Sequence, residues 1–413
     1  METLYRPTFL IMITAANNNK YYRMLPKDDG TFDVEFGRVG ASCQHANYPV
    51  SQWDKKYREK VRKGYVDQTD LMTDLVHEEK KKGSKDFKDI ENKVIAQIVE
   101  RLQDMANKTI QKNYRVESVA VTQAMVDKAQ DHIDKMANRG DQYTLREFND
   151  DLVKLFGIIP RKMSEVSDYL AGDKSEFSKI LSREQDLLDV MKGQVVQHSV
   201  TAAYEDEDEY SIPDKTILEA MDLVFEECSA SDIDHIKELM GENAGRLKNA
   251  WKVTNLKTQK RFDDFVKKEG IKDIREFWHG SGNANWWSII GNGLYLRPTN
   301  VKISGKMLGY GLYFANNVAK SITYTSRSSY SYYHEPTGFL AIMQVAYGKP
   351  YDIHEFDSKY YDFDWKHLQD ICPGANCLHA HKGMDTGWGG LRNDEIVVYK
   401  EEQATIKYLV EFA

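Results

Sequence analysis

The chain has 413 residues, of which 41% are hydrophobic and 29% charged, so it is long enough for about two to four domains with ordinary cores. Its net charge of −8 does not indicate a nucleic-acid partner for the chain as a whole, although a local basic patch can still bind phosphates. No apolar run has the length of a membrane span, so we expect no membrane partner. The four cysteines make no disulfide framework, which favours an intracellular location. We expect this location to be nuclear in a eukaryote and cytoplasmic or nucleoid-associated in a bacterium.

Residues 1–76 are predicted to form a small β-rich module that ends in a helix. The apolar patch from Phe9 to Ala16 lacks a basic lead-in and alternates into polar residues, which favours a strand over a signal peptide. Two turn sequences, "NNN" and "PKDDG", separate this strand from two further predicted strands. The stretch "SQWDKKYREKVRKGY" then predicts a helix that ends at Gly64, with basic residues near the C-terminus where the helix dipole favours them.

The remaining chain divides into a helical part, residues 77–205, and a part with more strands, residues 206–413. Apolar residues recur at helical spacing in "VIAQIVERLQDM", and the acidic run at 205–209 predicts a solvated linker. In the last part, "GFLAIMQVAYG", "DEIVVYK" and "TIKYLVEF" predict strands. The predicted fold class is therefore multi-domain α+β: a small β-rich module, an α-helical bundle, and a mixed α/β domain with antiparallel sheets.

Three short stretches in the last part carry candidate chemistry. "HGS", which begins at His279, supplies an imidazole, an approachable backbone amide and a hydroxyl, which suit a nucleoside but also an ordinary loop. "GYGLYFANNVAKSITY" ends with Ser321 and Tyr324 three residues apart, a spacing that places both on one face of a predicted helix. "NDEIVVYK" puts Glu395 at the entrance of a strand, where a solvated strand end is the alternative to a carboxylate aimed into a cleft.

In this order along the chain, the three stretches resemble the diphtheria-toxin-like ADP-ribosyltransferases, in particular the poly(ADP-ribose) polymerases, over about residues 279–412. The resemblance implies that NAD is the substrate and that His279, Tyr324 and Glu395 are the catalytic residues. It also implies a set of residues that contact NAD: His279, Gly280, Ser281, Asn285, Tyr313, Ser321 and Tyr324.

The family pattern implies how the nucleotide would be held. His279 would hold the adenosine ribose, with Ser281 and Asn285 on the same side of the cleft. The backbone of Gly280 and the hydroxyl of Ser321 would hold the nicotinamide carboxamide.

The same pattern implies the chemistry of the reacting end. Tyr324 would stack on the nicotinamide ring, with Tyr313 on the other side of that ring. Glu395 would bind a hydroxyl of the nicotinamide ribose and stabilise the oxocarbenium-like transition state as the glycosidic bond breaks. This chemistry needs no metal and no covalent nucleophile, so neither is expected. One departure is Tyr310, which stands where many polymerases have a lysine and puts the handling of the acceptor in question.

The upstream module resembles a WGR domain, the DNA-sensing module of nuclear polymerases, through "NKYYRML", "FGRVG" and "YREKVRKGY". Its signature tryptophan is replaced by a phenylalanine, and the helix from Trp53 to Lys63 carries six basic and two acidic residues. The alternative for this helix is a solvated face without a ligand. The residues that the resemblance implies for DNA binding are Phe36, Arg38, Lys55, Lys56 and Lys63.

The helical part resembles the regulatory helical domain that covers the cleft in this family, and its "LFGIIPRKM" has Ile-Pro-Arg where the family has Ile-Pro-His. The implied partners are damaged DNA, as 5′-phosphorylated ends or nicks, and protein acceptors including the enzyme itself. No zinc finger or basic tail precedes the first module, which favours a minimal DNA-dependent version such as a bacterial chain.

A zinc site is the alternative for "CPGANCLHAH", which sets Cys372, Cys377, His379 and His381 close together. Their spacing is not that of a common zinc finger, and the resemblance places the stretch in a loop before the strand of the glutamate, so we expect no metal there.

Three other functions are compatible with the sequence. A mono-ADP-ribosyltransferase would attach a single unit, and an NAD glycohydrolase would release free ADP-ribose. A DNA-end-binding scaffold would keep the fold without the activity.

Overall fold

The structure of the protein is a computed structural model that describes residues 5–71, 87–114, 121–205, 215–296, 307–327, 335–386 and 389–413. Two compact units form: the first unit is Met1–Ser84 with Lys108–Val195, and the second unit is Lys85–Asn107 with Val196–Ala413. Module boundaries at residues 76 and 205 stay a prediction, and the acidic run lies outside the described residues except for Glu205.

A five-stranded antiparallel sheet opens the first unit, in the order β4-β3-β2-β1-β5. Its first turn uses Asn17 at φ 62°, a left-handed conformation that asparagine tolerates better than most residues. A helix follows and ends by Gly64, as predicted, where φ is +90°. These elements are β1 Thr8–Thr14, β2 Asn18–Pro26, β3 Thr31–Arg38, β4 Gln44–Pro49, α1 Trp53–Arg62 and β5 Val66–Asp67.

Helices complete the first unit, and two of them extend into the second. They are α2 Lys93–Asn113, α3 Gln123–Arg139, α4 Leu145–Ile158 and α5 Phe177–Glu205. Thr144 and Glu147 form a capping box that starts α4, which buries its apolar face and packs against β1. Arg161, from the "IIPRKM" stretch, is buried in an ion pair with Glu184, and its carbonyl oxygen accepts a 2.8 Å bond from Asn19 Nδ2.

The second unit is built on a nine-stranded sheet in the order β11-β12-β13-β9-β8-β10-β14-β7-β6. Its pairs are antiparallel apart from β11 and β12, which run parallel. The predicted multi-domain α+β class is therefore confirmed. The strands are β6 Leu223–Glu227, β7 Leu247–Asn255, β8 Ile274–Gly280, β9 Leu312–Ala315, β10 Gly338–Ala346, β11 Pro350–Glu355, β12 Cys377–Asp385, β13 Glu395–Val398 and β14 Ala404–Phe412; the helices are α6 Ile217–Ala220, α7 Ala230–Met240, α8 Leu256–Glu269, α9 Trp286–Asn292, α10 Val318–Ile322 and α11 Trp365–Ile371.

The first half of α2 belongs to the second unit through polar contacts. Arg101 donates to Glu411 Oε1 at 2.6 Å and to Thr337 Oγ1 at 2.6 Å. Just before the helix, Asn92 Nδ2 donates to Glu227 Oε1 at 2.8 Å. These bonds attach the beginning of the predicted helical module to the nine-stranded sheet.

The prediction of a loop at residues 377–381 was wrong, because this stretch lies in β12 and pairs with β11 and β13. The reason is an alternation of period two: Leu378 and Ala380 are fully buried in a core, while His379 and His381 point the other way. Among the described residues, the structure contains no helix long and apolar enough to cross a membrane.

Candidate active site

Glu395 is the first residue of β13, which lies between β12 and β9 in the nine-stranded sheet. It lies opposite Ala315 of β9 on one side and Ala380 of β12 on the other, so small neighbours leave room for the carboxylate. The side chain is buried. Lys320 bonds its Oε1, whereas its Oε2 has no hydrogen-bond partner among the described residues. A buried oxygen without a hydrogen bond lowers the free energy of unfolding unless a bound ligand supplies the hydrogen-bond donor.

Lys320 is a candidate functional residue that was not selected from the sequence. It lies on the short helix α10, which Asn317 caps by accepting a bond from Ala319 N at 2.9 Å. Burial opposes the charge of Lys320, but the Glu395 carboxylate outweighs burial and the pKa of the lysine is raised. The charged Lys320 ammonium is therefore the partner of the Glu395 side chain in this buried site. The pattern that could have found it is a lone lysine directly before Ser321 in "NNVAKSITY".

His279 lies near the end of β8, next to β9. Its Nδ1 donates to the carbonyl oxygen of Tyr313 at 3.1 Å, because a carbonyl can only accept. Burial lowers the pKa of His279, with the bond to Tyr313 opposing it, so the ring is held neutral. The neutral ring presents Nε2 as an acceptor, which suits a ribose hydroxyl.

Gly280 and Ser321 are brought together as the sequence analysis requires for a common subsite. A Cβ at Gly280 would lie 2.0 Å from the carbonyl oxygen of Ser321, so only glycine fits there. Ser321 is buried on α10, but the helix ends at Ile322, so the prediction of one helix face for Ser321 and Tyr324 was wrong. Tyr324 lies in the following turn with 47% of its surface exposed, which leaves its ring accessible.

Tyr313, the other tyrosine predicted beside the nicotinamide, is held rigidly on β9. Its hydroxyl donates to Gly309 O at 2.8 Å and accepts from Leu308 N at 3.0 Å. Burial raises the pKa of Tyr313 well above its usual value, so it stays neutral. Tyr313 lies two residues before Ala315, the partner of Glu395, and therefore on the same face of the sheet as the carboxylate.

Ser281 and Asn285 are also adjacent, since Asn285 Nδ2 donates to Ser281 Oγ at 3.0 Å. The two tryptophans that follow, Trp286 and Trp287, are core residues of α9, and Trp287 Nε1 donates to Gln197 Oε1 at 3.0 Å. Tyr310, which replaces the expected lysine, donates to Asp362 Oδ1 at 2.9 Å.

Of the predicted DNA-binding lysines, Lys55 and Lys56 lie on α1 of the first unit and Lys63 directly follows this helix. Lys55 and Lys63 are exposed, and Lys63 bonds Glu59 Oε1 at 2.7 Å. Lys56 Nζ lies 4.1 Å from the ring centroid of Tyr48. These positions give α1 a basic outer face.

Phe36 belongs to an aromatic group around a lysine that the sequence analysis did not select. Its ring packs 5.8 Å from Tyr22, and Lys60 Nζ lies 4.1 Å from the Tyr22 centroid, 5.8 Å from Phe36 and 5.6 Å from Tyr65. Burial, with the nearby charge of Lys63, lowers the pKa of Lys60.

Arg38 is engaged inside the first unit. Its guanidinium donates to Asn17 O at 3.0 Å and Asn17 Oδ1 at 2.7 Å. It also donates to Met163 O at 3.1 Å and Ser164 O at 2.5 Å. Arg38 thus links the sheet to the chain that follows the "IIPRKM" stretch.

Comparison with known proteins identifies the second unit. Residues 231–413, which include His279, Lys320 and Glu395, match the poly(ADP-ribose) polymerase catalytic domain. The chain is 30% identical over 186 residues to the uncharacterized protein 101L of invertebrate iridescent virus 6, a match that covers 45% of this chain and 76% of the viral protein. The chain belongs to the poly(ADP-ribose) polymerase family. It is an NAD ADP-ribosyltransferase.

Other relatives in this family include enzymes of both product types. The chain is 29% identical over 171 residues to human poly [ADP-ribose] polymerase 2, covering 35% of this chain and 29% of that protein. It is 31% identical over 156 residues to human protein mono-ADP-ribosyltransferase PARP4, covering 36% of this chain and 8% of that protein. The chain thus spans less than a third of either human relative.

Proposed function

We propose that this ADP-ribosyltransferase is a DNA-break-stimulated poly(ADP-ribose) polymerase that modifies protein acceptors, including itself, and elongates the attached chain. The observation that carries the proposal is the state of the Glu395 carboxylate. One oxygen is held by Lys320 and the other is buried without a partner among the described residues. The second oxygen can accept a hydrogen bond from a hydroxyl of NAD or of the acceptor. Elongation requires such a contact with the acceptor hydroxyl.

The proposed reaction uses these groups without any further nucleophile. The bond between the ribose C1′ and the nicotinamide nitrogen breaks, and its electron pair leaves with nicotinamide. The acceptor oxygen forms a new bond to C1′ and releases its proton to the Glu395 carboxylate. Glu395 also stabilises the positive charge that develops on the ribose, while neutral His279 accepts a bond from the adenosine ribose.

Product analysis tests the proposal. The full chain is incubated with labelled NAD, with and without 5′-phosphorylated nicked or blunt DNA, and the products are separated on a gel. A ladder of labelled protein that depends on DNA supports the proposal. A single labelled species indicates a mono-ADP-ribosyltransferase, free ADP-ribose with unlabelled protein indicates a glycohydrolase, and no NAD consumption indicates an inactive scaffold.

Tyr324 is proposed to stack on nicotinamide because its ring is exposed beside Ser321 and Lys320, with Lys320 Nζ 5.7 Å from the ring centroid. Tyr324→Ala should weaken binding of a nicotinamide-type inhibitor by roughly 1–3 kcal/mol, the scale of losing one stacked aromatic ring. Calorimetric titration measures the change. Tyr324→Phe is the matched control, because it keeps the ring and should retain the affinity. An inhibitor that binds the alanine variant unchanged would remove Tyr324 from the site.

DNA stimulation is proposed to begin at the basic face of α1 and to pass through Arg38. Lys55 and Lys63 supply exposed charge to phosphates, whereas the guanidinium of Arg38 is already bonded to Met163 and Ser164. Binding and signal transmission should therefore be separable.

Two variants of the first unit should give different defects. Lys55→Glu should weaken DNA binding. It should also reduce the steepness of the fall in log affinity with log salt concentration by about 1. Arg38→Ala should leave DNA affinity nearly unchanged but reduce the DNA-dependent rise in NAD consumption. Fluorescence anisotropy and NAD consumption measure the two effects. Lys268→Glu, on an exposed lysine of α8, controls for the change in net charge. Equal loss of DNA affinity in all three variants would contradict the proposal.

A further inference from the structure

Strands β11 and β12 place one aspartate and three histidines, residue types that bind metals, near one another. Asp352 lies opposite His379 in the parallel register, and His354 and His381 each follow two residues later on their own strands. Residues i and i+2 of a strand share a face, so His379 and His381 lie on the same face as Asp352. Asp352, His379 and His381 each offer a ligand atom within 4.8 Å of those of the other two, which is the single such group among the described residues.

The distances suit a shared ion. Asp352 Oδ1 lies 2.7 Å from His381 Nε2 and 3.8 Å from His379 Nδ1. The ring of His381 is stacked between those of His379 and His354, with centroids 4.1 Å and 4.3 Å away. Asp352 and His381 are both partly exposed, so an ion from solvent can reach them.

An outer carboxylate completes the arrangement. His379 Nε2 lies 3.3 Å from Asp394 Oδ2, an ion-pair distance, although this buried nitrogen forms no hydrogen bond among the described residues. A carboxylate beside the second nitrogen is a common outer partner of a metal-binding histidine, where it orients the ring and raises its basicity. Two carboxylates and two imidazoles also supply the negative charge that a divalent cation needs.

We propose that Asp352 Oδ1, His379 Nδ1 and His381 Nε2 bind one zinc ion, with water in the fourth position of a tetrahedron. Imidazole and carboxylate are ordinary zinc ligands in this number. Cys372 and Cys377, considered with these histidines in the sequence, are not part of the group.

The zinc ion would lie on the face of the sheet away from Glu395. Glu395 is opposite Ala380, which lies between the two histidines and therefore points to the other face. The ion would have a structural role. It would connect β11 to β12 and, through His379, would help to position Asp394, the residue immediately before Glu395. Its binding does not depend on the proposed polymer product.

Zinc titration of the full chain tests the site. After removal of metal with a chelator, the native protein should bind one zinc ion in calorimetry, and zinc should raise its Tm. His381→Ala and His379→Ala should each lower the affinity by at least about tenfold, because even loss of an outer partner costs that much. His367→Ala is the matched control, since His367 forms a single pair with Asp364 at 2.7 Å. It should bind zinc as the native chain does.

A variant of Tyr347 tests whether His379 is a metal ligand or has only a structural role. Its hydroxyl lies 2.7 Å from His379 Nδ1, so a bound ion must displace this bond. Tyr347→Phe should therefore bind zinc at least as tightly as the native chain, although His379→Ala binds it weakly. Native protein that takes up no zinc, or the same loss of affinity in His367→Ala as in His381→Ala, would overturn the proposal. A normal rate of NAD consumption in those samples would show that the enzyme itself is intact.

Discussion

Glu395→Gln is expected to leave NAD binding nearly intact and to abolish chain elongation. The amide keeps the size of the carboxylate but carries no charge, so the loss falls on the transition state rather than on ground-state binding. The rate of ADP-ribosyl transfer should fall by about 10²–10³-fold, the usual cost of removing one electrostatic group aimed at a transition state. Calorimetry with NAD and gel analysis of the labelled product measure the two effects.

Glu411→Gln is the matched control for this variant. Glu411 is also a buried, ion-paired carboxylate of the same sheet, held by Arg101 and by Asn249 Nδ2 at 2.8 Å. It should lower the free energy of unfolding without removing elongation. Polymer of native length from Glu395→Gln would exclude Glu395 from the chemistry.

Removal of the first unit is expected to give an enzyme that is active without DNA. If the helices between residues 108 and 195 restrain the cleft in the resting protein, DNA must favour a form in which that restraint is released. The variant should keep residues 85–107, because Arg101 bonds Glu411 and Thr337, and join them through a Gly/Ser linker to residues 196–413. Its basal rate of NAD consumption should exceed that of the full chain and should not respond to nicked DNA.

The controls for this experiment separate folding from regulation. A thermal unfolding transition shows whether the joined unit is folded, and the same variant with Glu395→Gln should be inactive. A folded unit whose basal rate stays at that of the DNA-free full chain would show that the helices are not the restraint.

Local patterns in the sequence predicted several elements that carry the candidate site. A glutamate before "IVVY" predicted the start of a strand, and Glu395 does begin β13. The pairing of Lys320 with Glu395 could not be predicted, because the two residues are 75 positions apart in the chain and local spacing carries no information about that pair. The prediction of a loop for "CLHAH" was wrong, because buried Leu378 and Ala380 alternate with the two histidines and match the pleat of a strand.

By itself the sequence determined which residue types were available and which local structures they favour: strands where apolar residues alternate, helices where they recur every three or four positions, and a glycine wherever the backbone must come close. Only the tertiary structure decided which of these groups meet. The order of the strands brings β9 between β8 and β13, so that Tyr313 shares a face with Glu395 and His279 bonds the backbone carbonyl of Tyr313. The register of β11 against β12 sets Asp352 beside His379. Such pairings depend on the burial of both faces of a sheet by the whole unit, because a shift of one residue would turn every side chain of a strand to the opposite face.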